Sequence, residues 1–163
     1  MPGQQREIVL RFLAEPSDVN FGGKVHGGMV MKWIDQAGYA AAVGWSGRYC
    51  VTVAVGGIQF AEPILIGDLV IVQAKLIRTG TSSMHFAVDV LARDLGSGRE
   101  RRATRCVIIF VALDAPSGRP VPVPRWEPVE DEDRRLADFA SRLVDLSKAM
   151  EAEVTRFPGS GDA

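Results

Sequence analysis

The sequence predicts an α+β fold in which a long antiparallel sheet wraps around one buried helix, with a further helix at the C-terminus. Three observations carry this. Residues 29–43 are apolar at helical spacing on nearly every side, the pattern of a helix buried rather than laid on a wet surface. Several β-prone runs follow, among them YCVTVAV, LVIVQAKLI, SMHFAVDVLA and CVIIFVAL. The loops joining them are too short for the crossovers of a doubly wound sheet, so the pairing is expected to be antiparallel.

Taken in order, EIVLRFL at residues 7–13 is a first strand, and Glu15-Pro16-Ser17-Asp18 a turn before a glycine-rich helix entry. Strands are then expected over 49–60, 69–77, 83–92 and 103–113. Turns separate them at 63–68, at Thr79-Gly80-Thr81-Ser82 and at Gly96-Ser97-Gly98. At the tail, Glu130-Asp131-Glu132-Asp133 places negative charge where a helix dipole favours it. Leu136, Phe139, Leu143, Leu146 and Met150 then form one apolar seam, closed by Phe157-Pro158-Gly159. The seam docks either on its own subunit or on another. The expected organisation is one α+β domain over 1–126 and a C-terminal helical extension over 127–163.

With 163 residues the chain has room for one well-packed core rather than two. Hydrophobic residues make up 47% and charged residues 24%, ordinary values for a soluble globular protein. A formal net charge of −1 gives no general attraction to nucleic acid or to an anionic membrane, so neither is an expected partner. No apolar run is long enough to span a bilayer or to act as a secretory signal. Cys50 and Cys106 read as core thiols of a reducing compartment, and the cytoplasm is the expected location.

The chemistry is concentrated in PSDVNFGGKVHGGMVMKWID, residues 16–35. Gly27 and Gly28 stand at the helix start, where backbone N–H groups lack intrahelical partners and the dipole favours negative charge. Two residues without side chains let a carbonyl approach those donors as an oxyanion hole. Tight helix–sheet packing is the other reading of paired glycines. Asp35, two turns into the helix among Trp33, Ile34, Ala37 and Gly38, is either a reactive carboxylate or the ion-pair partner of Lys32. Asn20 fixes a substrate group or holds its own turn, and His26 reads as a helix-entry residue. Other designs are excluded. There is no G-x-S-x-G elbow, no Walker A loop and no Cys/His spacing suited to a metal, and the four glycines do not form G-x-G-x-x-G.

This stretch resembles the entry loop and central helix of the hotdog-fold acyl-CoA thioesterases, closest to the YciA-type enzymes and cytosolic acyl-CoA hydrolases. The resemblance continues through VTVAV at 51–55, Pro63 with Gly67-Asp68, Gly80-Thr81-Ser82-Ser83, FVALD at 110–114 and Gly118 with Pro120, covering roughly residues 6–124. It implies that Asp35 activates water or attacks the thioester, that Asn20 helps arrange the site, and that amides at Gly27-Gly28 polarise the carbonyl. Thr52, His26 and the Gly80–Ser83 turn become candidate contacts for acyl-CoA. Arg78, Arg102 and Arg105 are candidates for its phosphates. No cofactor is implied. Homodimers, with a groove for acyl-CoA between subunits, are expected to assemble into hexamers. The rival readings are an acyl-CoA-binding hotdog protein without turnover, and a hydratase or dehydratase. The first, as a transcriptional sensor, lacks a DNA-reading extension, and the second lacks its Asp/His pair. Met29, Met31, Trp33 and Tyr39 are candidates to line an acyl tunnel or simply core residues.

Overall fold

The structure is a computed structural model and describes residues 1–157. The strands are β1 (Glu7–Leu13), β2 (Tyr49–Phe60), β3 (Leu69–Thr79), β4 (Ser83–Arg93) and β5 (Glu100–Leu113). The helices are α1 (Gly27–Ser46) and α2 (Asp131–Thr155), and Pro16–Asp18 forms a single 3-10 turn. All strand pairings are antiparallel in one five-stranded sheet of order β1-β3-β4-β5-β2. The α+β architecture expected from the sequence is therefore present.

The strand order departs from a simple meander. Only β3, β4 and β5 follow one another. β2 lies at the far edge beside β5, so residues 61–68 carry the chain back to β3, which β1 flanks on its other side. β5 also starts three residues earlier than expected, because Glu100 is held across the hairpin by Arg93 at 2.7 Å and the turn is tied by Asp94, which accepts from Ser97 N and Oγ. The next turn repeats this device with Asp114 and Ser117.

Alternate positions of the strands face α1: Val70, Val72, Ala74 and Leu76 from β3, Met84, Phe86, Val88 and Val90 from β4, and Cys106, Ile108, Phe110 and Ala112 from β5. They pack against Val30, Trp33, Ile34, Ala37 and Ala41 of α1. Each large side chain buried there contributes about 1.5–3 kcal/mol before ordering costs. α1 ends at Gly47, which adopts φ 64° and returns its N–H to Val43 O. Within one chain α1 is not buried all round as the sequence suggested: Gly28, Lys32, Asp35, Gln36 and Tyr39 remain exposed along the face turned away from the sheet.

The chain divides into two compact units, Met1–Glu127 and Pro128–Ala163. In the second, α2 opens on Asp131, Glu132 and Asp133. Along its seam, Leu136 and Leu143 are half-buried and Phe139, Leu146 and Met150 exposed. Of the expected closing residues, Pro158 and Gly159 lie outside the described residues. No helix among the described residues is long and apolar enough to cross a membrane.

Candidate active site

The loop before α1 is shaped by Asn20. Its Oδ1 accepts from the N–H groups of Gly22 at 2.9 Å and Lys24 at 3.3 Å, so Asn20 does hold its own turn. His26 is the N-cap: its carbonyl accepts from Met29 N at 2.9 Å and Val30 N at 3.2 Å, and its exposed imidazole caps nothing. The Gly27 and Gly28 amides therefore precede the first intrahelical bonds and stand at the positive end of a 20-residue helix. A Cβ at Gly28 would meet nothing within 4 Å, and one at Gly27 only the Phe60 ring, at 3.4 Å. The packing reading belongs instead to Gly38, where a Cβ would lie 2.6 Å from Phe110 Cε2.

Asp35 is exposed in the single chain, a correction to the buried carboxylate anticipated from its neighbours. Its position on α1 explains this, since it falls on the face away from the sheet. Lys32 is not its partner: Asp35 Oδ1 accepts a hydrogen bond from Thr52 Oγ1 of β2. A bulge in the β2–β5 register between Thr52 and Ala54 lies directly beyond that threonine. Nothing local in the sequence signalled this contact, which joins residues seventeen apart across a helix and a strand.

The structure thus forms two clusters. Asn20, Gly27 and Gly28 lie at one end of α1, and Asp35 with Thr52 two turns further on. Seven or eight residues of helix separate the glycines from Asp35, about 10–12 Å. One thioester carbonyl cannot touch both sets within a single chain.

The Gly80–Ser83 turn is stitched to the end of β5 and the chain beyond it: Ala112 N donates to Ser82 O and Val123 N to Thr81 O, each near 3 Å. Ser83 pairs with Val111 and Val111 with Val51, which puts the turn two strands from Thr52, about 10 Å. Arg78 reaches this region, its guanidinium 3.3 Å from His85 Nε2. Arg105 is held by Asp89 in a bidentate pair, and Arg102 lies at the opposite end of β5. Trp33 is core, stacked on Phe12 with centroids 5.5 Å apart, whereas Tyr39 is partly exposed beside Phe110. Two cavities flank the start of α1: one of about 360 Å³ lined by Asn20, Gly27, Val30, Phe60, Ile64 and Ala103, and one of about 330 Å³ lined by Phe12, Met29, Lys32, Trp33 and Gln36.

Residues 22–98, the helix entry through β4, match the Thioesterase superfamily. The acyl-CoA thioester hydrolase YciA of Salmonella typhimurium is 37% identical over 123 residues, 74% of this chain and 92% of that protein. The chain belongs to the thioesterase superfamily. It is an acyl-CoA thioesterase with the hotdog fold, as its motif implied. Among solved structures, an acyl-CoA hydrolase from Staphylococcus aureus, in complex with butyryl coenzyme A and coenzyme A, is 28% identical with a TM-score of 0.83, covering 96% of this chain and 94% of that one. That enzyme has also been solved with an aspartate, an asparagine and a threonine each replaced by alanine. In its chain the asparagine precedes the aspartate by fifteen positions and the threonine follows by seventeen. The hexameric thioesterase y2039 of Yersinia pestis is 36% identical with a TM-score of 0.68, covering 73% of this chain and 96% of that one. The S. aureus match reaches beyond residue 126 of this thioesterase, so its C-terminal extension is not foreign to the family's structures, although the motif resemblance stops before it.

Proposed function

We propose that this thioesterase hydrolyses acyl-CoA at a site shared by two subunits, with Asp35 of one facing the Gly27-Gly28 amides of the other. The observation that carries this reading is the separation of the two clusters: the donors and the carboxylate are both exposed, yet about 10–12 Å apart on one helix. The edge strand β2 supplies a means of bringing two copies together. Among the described residues it has no neighbour beyond β5, and Tyr49, Val53 and Phe60 on it are 52%, 54% and 55% exposed. An unpaired edge of twelve residues with exposed apolar side chains is a template for a second strand. Further pairing of dimers into a hexamer is proposed from the Y. pestis relative.

Asn20, Asp35 and Thr52 have the same order and spacing as the three residues replaced in the S. aureus enzyme, which supports assigning them to one site. In the reaction, the Asp35 carboxylate takes a proton from water as the oxygen attacks the thioester carbonyl. The charge developing on the carbonyl oxygen falls on the glycine amides. Collapse breaks the C–S bond, giving the carboxylic acid and CoA, whose thiol, with a pKa of ~8.5, leaves readily without a strong general acid. The alternative, attack by Asp35 itself through an anhydride, fits the same geometry; water opening that anhydride at the Asp35 carbon would leave its ¹⁸O in the Asp35 carboxyl after single turnover. Thr52 holds the carboxylate, Asn20 shapes the loop beside the amides, and His26 with Gly80, Thr81, Ser82 and Ser83 contacts the CoA arm.

Asp35→Asn tests this. With butyryl-CoA as substrate and CoA release as the readout, turnover is expected to fall roughly a hundredfold or more in a protein that still folds. Near wild-type turnover in that variant removes Asp35 from the mechanism.

A further inference from the structure

Tyr39 stands one helical turn after Asp35 on the exposed face of α1. Resting on the reading of Asp35 as the base, we infer that Tyr39 is a water-positioning residue: its hydroxyl and the Asp35 carboxylate together hold the water that attacks the thioester. Residues four apart on a helix are surface neighbours, with Cβ atoms about 5–6 Å apart, and a long side chain leans toward the helix N-terminus, over the turn before its own. Tyr39 therefore reaches over the turn that holds Asp35. Its ring is braced on the side of α1 that carries Thr52. The ring centroid lies 6.3 Å from that of Phe110, a fully buried residue of β5 whose cross-strand partner is Thr52. Phe110 comes this close to the helix because Gly38 has no side chain. Asp35, Thr52, Phe110 and Tyr39 thus share one patch, and among the described residues the Tyr39 hydroxyl has no hydrogen-bond partner.

The chemistry asks for such a group. A water bonded to a carboxylate alone can pivot about that bond, so few of its orientations aim a lone pair at the thioester carbon. A second acceptor for its other hydrogen fixes it. Thr52 already donates to Asp35 Oδ1, which leaves Oδ2 for the water, and the phenol oxygen of Tyr39 can accept the other hydrogen. No bond to Tyr39 forms or breaks: one proton of the water passes to Asp35, its oxygen bonds to the carbonyl carbon, and its second hydrogen stays on that oxygen. Lys32 and Gln36 are also exposed within a turn of Asp35, but both line the cavity of about 330 Å³ on the opposite flank of α1, toward Phe12 of β1. The Lys32 ammonium, moreover, offers no acceptor.

The test compares the wild-type full chain with Tyr39→Phe, which keeps the ring and removes only the hydroxyl, in CoA release from butyryl-CoA. The variant is expected to keep its Tm and KM while kcat falls roughly tenfold, the scale of a misplaced reactant. In an Asp35→Asn background the same change should cost less than about twofold, because the water then has no base to be held against. An unchanged kcat in Tyr39→Phe overturns the inference. So does a raised KM at constant kcat, which would make Tyr39 a binding contact, and so does a lower Tm in step with kcat, which would make the hydroxyl a support of the fold. A full tenfold loss on top of Asp35→Asn also overturns it, since the tyrosine would then act apart from the carboxylate. Asp35→Asn alone separates this inference from the reading beneath it. If that variant is inactive and Tyr39→Phe matches the wild type, the positioning role fails by itself. If Asp35→Asn stays active, the base assignment fails and the role of Tyr39 goes with it.

Discussion

Thr52 brings a single hydroxyl to the carboxylate proposed to act, and its role is open to a direct test. It donates to Asp35 from an adjacent strand and holds the carboxylate on an exposed helix face. Removing such a hydrogen bond to a charged group costs about 1.5–3 kcal/mol. Thr52→Val, similar in shape, is therefore expected to lower kcat about tenfold or more with little change in stability, and Thr52→Ser to restore most of it. An unchanged kcat in Thr52→Val would separate the hydroxyl from catalysis. His85 makes a different prediction. It is buried on β4, its Nδ1 has no hydrogen-bond partner among the described residues, and burial, aided by the Arg78 charge, pushes its pKa down to about 4. The unfolded chain, near 6.5, takes up the proton first, so this contribution is fully present above pH ~6.5 and is lost as pH falls toward 4, on the order of 3 kcal/mol in all. Urea midpoints at pH 7 and pH 4.5 should differ more in the wild type than in His85→Gln; equal differences would show that His85 does not titrate across the transition. Asp35, Asn20 and the paired glycines could be proposed from the sequence because a helix start without side chains, followed by a carboxylate, is a local pattern. The Asp35–Thr52 contact was not, since it depends on how α1 lies against β2.

Strand positions were legible almost to the residue, because alternation in the strands of a one-sided sheet is a direct record of which face meets the core. Strand order was not. An apolar face carries no label for its neighbour, so the return of residues 61–68 from β2 to β3 could not be read from Glu62-Pro63 or Gly67-Asp68. The polar start of β5, Glu100-Arg101-Arg102, hid three strand residues whose reasons are a cross-hairpin ion pair and the Arg101–Asp68 anchor. Within α1 the glycines divide by role. Gly38→Ala would force a methyl against Phe110 and Ile108 and is expected to cost about 1–3 kcal/mol, read as a lower Tm. Gly28→Ala meets open space and gains helix propensity, so it should keep or raise Tm while reducing kcat by crowding the exposed amides. The opposite pattern, a stability loss at Gly28 with full turnover, would make it a packing glycine after all.

At the scale of the molecule, the single chain contains every group of the proposed reaction but not within reach of one another. The Gly27-Gly28 amides and Asp35 sit on the exposed face of α1, and both flank β2, one of the sheet's two edge strands. Two copies related by a two-fold axis through their β2 edges would run their α1 helices side by side, setting each Asp35 toward the other's glycine amides and creating two equivalent sites. That arrangement has a consequence no intramolecular site shares. Asp35→Asn and a variant blocked at the amides, Gly28→Val, should each be inactive as homodimers. Mixed one to one and allowed to exchange, half the dimers become heterodimers, each with one site carrying both defects and one carrying neither. The mixture should recover about a quarter of wild-type turnover. Exchange is followed independently by mass spectrometry with one subunit isotope-labelled. Confirmed exchange without recovery would mean that Asp35 and the amides serve the same subunit's site, and the 10–12 Å between them would then have to be closed by a rearrangement of α1 itself.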